Sequence, residues 1–194
     1  AMLLAAGIEL PRRTYTHSFY MIDGQKMSKS LGNVISPEQL VDLFGVDGSR
    51  YLIARSFPLE NDADVGIGRF KERYNADLAN NFGNLVSRVN KLAEGLVVEK
   101  KEIVFDPEFE RLIDELRFDE ALSLVFNRWI DGSNNRLNQN EPWKLVKDDP
   151  KRVEVLKECV EDIRIAAFHL RAIMPETSRK IEEGLSGGLF PRIQ

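Results

Sequence analysis

Two lysines, Lys26 and Lys29, stand three residues apart with Ser28 and Ser30 interleaved, in the run Gly24-Gln25-Lys26-Met27-Ser28-Lys29-Ser30-Leu31-Gly32-Asn33. A lysine ammonium is a compact point charge with three donors on a flexible stem. Two of them on one short loop, with hydroxyls between, can gather on a polyphosphate and follow negative charge as it develops on a leaving group. Glycine at either end lets such a loop turn tightly. A bare K-x-x-K spacing is an ordinary solvated loop in most proteins. What sets this one apart is the intact five-residue string from Lys26 to Ser30, continued by Leu31-Gly32-Asn33-Val34-Ile35.

Other residues are weaker candidates. Asp62 and Asp64 could suggest a metal, but the ligand number is too low and no EF-hand frame surrounds them, so they read as part of a polar acidic loop over 58–66. His17 stands in a stretch rich in β-branched and aromatic residues and reads as a packed or half-exposed side chain rather than a site residue. The single cysteine, Cys159, excludes an internal disulfide and a cysteine-rich zinc site within this sequence, and reads as a small core residue. No metal site is expected.

The elements that must position the lysine loop follow from pattern. Residues 1–7 read as the last turns of a helix stopped by Gly7, which suggests a piece of a longer protein. Residues 14–22 have the composition of a strand, and Asp23-Gly24 is a turn signal that delivers the loop. Ser36-Pro37-Glu38 opens a helix whose stop is Gly45, and Asp47 can cap a second helix that ends before Pro58. Ile67, Phe70, Tyr74, Leu78, Phe82, Leu85, Val89 and Leu92 recur every three or four residues and predict one long helix over 67–93. A short helix over 107–116 follows. A second long helix from about Asp119 presents Leu122, Phe126, Trp129, Ile130 and Leu137, and Asn138-Gln139-Asn140-Glu141 breaks it before Pro142-Trp143. Asp149-Pro150 opens a third long helix whose apolar positions, Val153 to Met174, run almost as a heptad seam. A short helix from Pro175 to Gly184 and a glycine-rich tail with an apolar anchor, Leu189-Phe190, complete the chain. Three long antiparallel helices make a bundle. The expected fold is mainly α: a helical bundle preceded by the last strand and signature loop of an α/β unit.

Composition narrows the partners. Of 194 residues, 43% are hydrophobic and 30% charged, as in ordinary globular domains, and the net charge is −4. A broad basic face is therefore not expected, and any nucleic acid must be met at a few chosen residues. No apolar run approaches the ~20 residues that span a bilayer. No membrane contact is expected, and the sparse cysteine suggests a reducing cytoplasm.

The intact lysine string resembles the signature loop of class I aminoacyl-tRNA synthetases, and further strings narrow the resemblance. Asp47-Gly48-Ser49-Arg50-Tyr51, Pro58 to Asp64, Phe70 through Arg88, Pro142-Trp143, Met174-Pro175-Glu176-Thr177 and the closing Leu189-Phe190-Pro191-Arg192-Ile193 are similar to the methionyl-tRNA synthetase family. Ser18 departs from it, standing where the family usually has glycine. The resemblance implies ATP-dependent joining of methionine to its tRNA through methionyl-adenylate, with ATP, accompanied by Mg2+, as a substrate. It implies that Lys26 and Lys29 act at the ATP phosphates as catalytic residues, with Ser28 and Ser30 beside them in the ATP-binding loop. Residues 1–35 would be the end of the nucleotide-binding catalytic domain, 36–66 a connecting helical segment, and 67–194 an anticodon-binding domain. Within the last, Asn84 and Arg88 are i and i+4 on one helix face, about 100° round from the Leu85–Val89 stripe. Without the family they are a solvated face and Trp143 a packing wedge. With it, an amide and a guanidinium can read base edges or brace phosphates, and the indole can stack an anticodon base of methionine tRNA.

The resemblance also implies an active-site half that this sequence does not contain. Its histidines are His17 and His169, with no His-Ile-Gly-His-type motif. The chain alone is expected to bind tRNA without activating methionine. Two competing readings remain at this level: a class I synthetase for an aliphatic amino acid or cysteine, and a non-enzymatic helical RNA-binding or assembly module. The oligomeric state is not specified by the sequence.

Overall fold

The computed structural model describes residues 1–16, 19–56, 62–184 and 188–193. A short helix α1 (Met2–Ala5) precedes β1 (Tyr20–Ile22) and β2 (Gln25–Lys26), which pair antiparallel with Met21 opposite Lys26. A third short strand, β3 (Ala63–Asp64), pairs parallel to β1 on its other side, giving the order β2-β1-β3. Of the strand expected over 14–22, only Tyr20–Ile22 is extended and paired: residues 14–16 and 19 are described but irregular, because β2 and β3 offer partners to the last residues alone. Between β2 and β3 runs α2 (Pro37–Ser56), opened by the Ser36 side chain, which accepts from Gln39 N at 3.2 Å. Gly45, at φ 69°, kinks α2 where the sequence places a helix stop.

Among the described residues, everything after β3 is helical or irregular. α3 (Ile67–Arg73), a π-helical stretch (Tyr74–Gly83) and α4 (Asn84–Leu92) form one continuous helix, matching the expected span. α5 (Pro107–Asp114) is capped by Asp106, which accepts from Glu108 N and Phe109 N. α6 (Phe118–Val125), a second π-helical stretch (Phe126–Asp131) and α7 (Gly132–Asn140) form the second long helix. α8 (Pro150–Leu170) is capped by Asp149, as its sequence implies, and α9 (Pro175–Glu182) follows. The π stretches coincide with runs of four-residue spacing in the core stripe, Phe70-Tyr74-Leu78-Phe82 and Leu122-Phe126-Ile130. Such runs overshoot the 3.6-residue turn, and the wider i→i+5 turn keeps them on one face.

The bundle is not wholly antiparallel. Asn81 meets Asp131 and Asn134, and Arg88 meets Asn138, so contacts advance together along both long helices and these two run parallel. The physical reason is the connection over 93–117, which contains α5 and returns the chain before α6 begins. α8 does run antiparallel to α7, with Ser133 bonded to Asp162 and Arg136 to Glu158 and Asp162. The α8 seam is also wider than a heptad pattern. Val155, Cys159 and Ala166 are buried beside Leu156, Ile163 and Ala167, because α4, α7 and α9 all pack on this helix.

One hydrophobic core extends from Leu40 to Phe190. The tail anchor is realised: Phe190 is buried against Phe82 and Tyr74, while Asn75 exchanges two hydrogen bonds with the backbone of Ile193. At Gly83, where the first π stretch ends, a Cβ would lie 2.9 Å from the Leu78 carbonyl oxygen and 3.4 Å from the Phe190 ring. The close approach of backbone and tail excludes a side chain there.

The Asp47-Gly48-Ser49-Arg50-Tyr51 string joins α2 to the bundle. Asp47 caps a helix, but not the one beside it: its carboxylate accepts from Thr177 N at 2.6 Å, in the first turn of α9. Arg50 donates to the Ile173 and Ala172 carbonyls at 2.7 and 2.9 Å. Tyr51, fully buried, donates to Asp77 Oδ2 at 2.8 Å. Burial, and then the Asp77 charge, push the Tyr51 phenol well above its ordinary pKa, so it stays a donor.

Candidate functional site

The lysine loop is built from a hairpin. Asp23 and Gly24 both take positive φ, 52° and 75°, the geometry of a type I′ turn, whose twist matches that of the flanking strands. The turn is gripped from β3. Asp64 accepts from Asp23 N at 2.9 Å and from Gly24 N at 3.1 Å, and Arg69 stands 3.4 Å from the same carboxylate. Asp62 accepts from Phe19 N at 2.9 Å. The two aspartates read in sequence as loop residues are the supports of the hairpin.

Beyond β2 the loop closes on itself. Met27 N donates to the Tyr20 carbonyl at 2.7 Å. Asn33 accepts from Ser28 N at 2.8 Å and donates to the Lys26 carbonyl at 3.3 Å, bridging the two ends. Ser28 Oγ accepts from Leu31 N at 3.3 Å and lies 2.9 Å from Ser30 Oγ. These bonds form a 3-10 turn (Lys29–Leu31) with Lys29, exposed, at its first position. Lys26 Nζ sits 3.4 Å from the centre of the exposed Phe19 ring, a cation–π contact. The structure therefore brings Lys26, Ser28, Lys29 and Ser30 together on one preformed loop. An ammonium resting on an exposed ring can leave it at small cost, about 0.5–1 kcal/mol. His17 and Ser18 lie outside the described residues, as do Pro58 to Asn61 and, at the start of the glycine-rich tail, Ser186 and Gly187.

The second set of residues lies at the far end of the long helices. Asn84 is exposed at the first position of α4, and Arg88 stands one turn on, half-buried. The Arg88 Cζ is 5.5 Å from the Trp143 ring centre, and its Nη2 donates to Asn138 Oδ1 at 3.3 Å. Trp143 is held out by local chain geometry. α7 ends at Glu141, which takes the left-handed conformation at φ 42°, and a 3-10 turn (Pro142–Lys144) follows at once with Pro142 buried beneath it. Lys144 pairs with Glu141 at 2.8 Å. Trp143 remains 45% exposed, while Trp129, assigned by its periodicity to the core, stacks on the buried His169 at a ring distance of 4.6 Å. Arg88 and Trp143 are thus neighbours, with Asn84 on the same helix, although 55 positions of sequence separate Arg88 from Trp143.

Sequence reasoning missed three contributors. Asn33 was legible only as part of the signature string. Asp64 acts across 40 residues with no local signal. Asn138 reads as a helix breaker, but α7 continues through Asn140, and Asn138 faces Arg88 from its last turn. Among the described residues no three His, Cys, Asp or Glu side chains come together as a metal-binding group, and no helix is long and apolar enough to cross a membrane.

Residues 1–90 match the family model described as tRNA synthetases class I (M). A methionine–tRNA ligase of Caldanaerobacter subterraneus subsp. tengcongensis is 34% identical over 204 residues, covering 95% of this chain and 32% of the relative. The Enterococcus faecalis methionine–tRNA ligase is 33% identical over 98% of the chain and 31% of its own length. The chain thus spans about a third of the length of the curated relatives it matches. Among solved structures, Mycobacterium tuberculosis methionyl-tRNA synthetase in complex with methionyl-adenylate superposes with a TM-score of 0.77 at 31% identity, covering 93% of this chain and 40% of that one. The free form of that synthetase gives a TM-score of 0.78 at 24% identity, covering 99% of this chain and 46% of that one.

Proposed function

We propose that this chain, similar to methionine–tRNA ligases and spanning about a third of the length of the curated relatives it matches, supplies two parts of an ATP-dependent methionine–tRNA ligase: the loop that handles the ATP phosphates and the surface that reads the anticodon. In this reading residues 1–35 carry the loop, 36–66 connect, and 67–194 form the anticodon-binding unit. Lys26 and Lys29 stabilise charge on the α-phosphate and the departing pyrophosphate, by position and field rather than by covalent chemistry. Ser28 and Ser30 hold the loop in shape and exchange their mutual hydrogen bond for phosphate oxygens. ATP is the substrate and Mg2+ travels with it. The cytoplasm, where tRNA is charged, is the expected location.

Asn84, Arg88 and Trp143 form the anticodon face. The observation that carries this is the placement of a half-exposed indole beside a guanidinium, on an otherwise acidic chain, outside the hydrophobic core. An indole so held offers a stacking platform to an unstacked base, and the guanidinium offers donors to a base edge or phosphate. The arrangement favours single-stranded RNA over a duplex, whose stacked bases could not reach the ring. A nuclease footprint of methionine tRNA on the chain tests this. Protection is expected at the anticodon loop and should vanish there when Trp143 and Arg88 are both replaced by alanine. Equal protection along the whole tRNA, unchanged in that variant, would contradict it.

A further inference from the structure

We propose that Asn138 is a positioning residue of the anticodon face, holding the Arg88 guanidinium beside the Trp143 indole so that the two act as one recognition unit. The inference rests on the reading of that face as RNA-binding and adds to it a residue outside the set that sequence reasoning supplies. Its basis is geometric. Two polar rungs join the parallel long helices. The first, Asn134 to Asn81 to Asp131, with distances of 2.7 and 2.8 Å, is partly buried and fixes the spacing of the helices. The second, Arg88 to Asn138 at 3.3 Å, lies seven residues further on at the exposed end. The first rung places α7 where Asn138 can reach Arg88. The same last turn of α7 then ends at Glu141 and presents Trp143. One turn of helix thereby sets both halves of the unit.

The chemistry of residue 138 suits this work. A free arginine side chain carries ~2 kcal/mol of rotamer entropy, which RNA binding would otherwise have to overcome. An amide oxygen accepts one of the five guanidinium donors and leaves the others, and the full positive charge, available. A carboxylate at the same place would hold Arg88 more firmly but would cancel the charge the RNA needs.

The test uses the full chain and two RNA probes at one stated salt concentration: the anticodon stem-loop of methionine tRNA and the same stem-loop with a changed anticodon. Asn138→Ala is expected to weaken binding of the first by about threefold to tenfold, the effect of losing one organising hydrogen bond. It should scarcely alter binding of the second. Arg88→Ala should weaken the first at least as much, and adding Asn138→Ala to Arg88→Ala should change nothing further, because Asn138 acts through Arg88. Losses that multiply in the double variant would overturn the proposal, since Asn138 would then touch the RNA on its own account. A second readout needs no RNA. With the Trp143 ring 5.5 Å from Arg88 Cζ, the Arg88 Nε–H resonance is expected to be ring-shifted in the unsubstituted chain and to move toward its free position in Asn138→Ala. An unmoved resonance, with discrimination between the stem-loops intact, removes Asn138 alone. If the unsubstituted chain fails to tell the stem-loops apart, the RNA reading itself fails and the role of Asn138 falls with it.

Discussion

His169 is buried and bonded at both ring nitrogens. Its Nε2 accepts from Asp106 N at 2.9 Å and its Nδ1 donates to the Ile165 carbonyl at 2.8 Å, while Trp129, Phe105, Phe109 and Phe168 enclose the ring. Only the neutral Nδ1–H tautomer satisfies both bonds. Burial, ahead of the opposing pull of its bond to Ile165 and the Asp106 charge, holds its pKa below the ordinary 6.5. The unfolded chain therefore takes up this proton first as pH falls. The stabilisation is complete above the ordinary histidine range and is lost as pH drops through it toward the lowered folded value. Melting temperature should fall between pH 7 and pH 5, and His169→Gln, which cannot titrate, should flatten that dependence while starting from a lower value. An equally steep fall in the variant would show that other groups carry it. At this scale the sequence was legible wherever a residue's role is set by its own segment. Trp143 after Pro142, and Trp129 within a stripe, separated correctly into an exposed and a packed indole. Asp64, Asp47 and Asn138 were not legible, because each acts on a partner that only the fold brings near.

At the scale of elements, two supports invite direct tests. The hairpin that delivers the lysine loop is held by the Asp64 carboxylate on two turn amides. Asp64→Ala should raise hydrogen exchange at Asp23 and Gly24 by about tenfold, since bonds to a charged acceptor are worth more than neutral ones. Unchanged exchange would mean that the type I′ turn is sufficient by itself. The N-terminus of α9 is held by Asp47, whose second oxygen is buried without a partner among the described residues. Asp47→Ala should cost about 0.5–2 kcal/mol, the usual value of a lost N-cap, and Asp47→Asn less, because it keeps an acceptor. Denaturant unfolding of the two variants distinguishes these values. The long helices themselves were readable from apolar periodicity, but the π stretches within them were not expected. The cap from α2 to α9 spans 130 residues and left no local trace.

At the scale of the whole molecule, the number of long helices was legible but their directions were not. Short breaks suggested an antiparallel bundle, and the return over 93–117 makes the first two long helices parallel instead. That arrangement aligns Asn81 with Asp131 and Arg88 with Asn138, and so gathers the proposed recognition residues at one end. The chain as it stands carries the lysine loop without a His-Ile-Gly-His-type motif. It should give no methionine-dependent exchange between ATP and pyrophosphate, and measurable exchange from the chain alone would refute that. Anticodon reading by the bundle through Arg88 and Trp143, as proposed, is tested most directly by a titration. Methionine tRNA, and the same tRNA with a changed anticodon, are titrated at fixed salt against the chain and against Trp143→Ala. The anticodon change and the indole loss should each weaken binding by about tenfold or more, the worth of one stacked base. Equal binding of both tRNAs, with Trp143→Ala silent, would contradict the claim and leave the bundle as a support for the lysine loop.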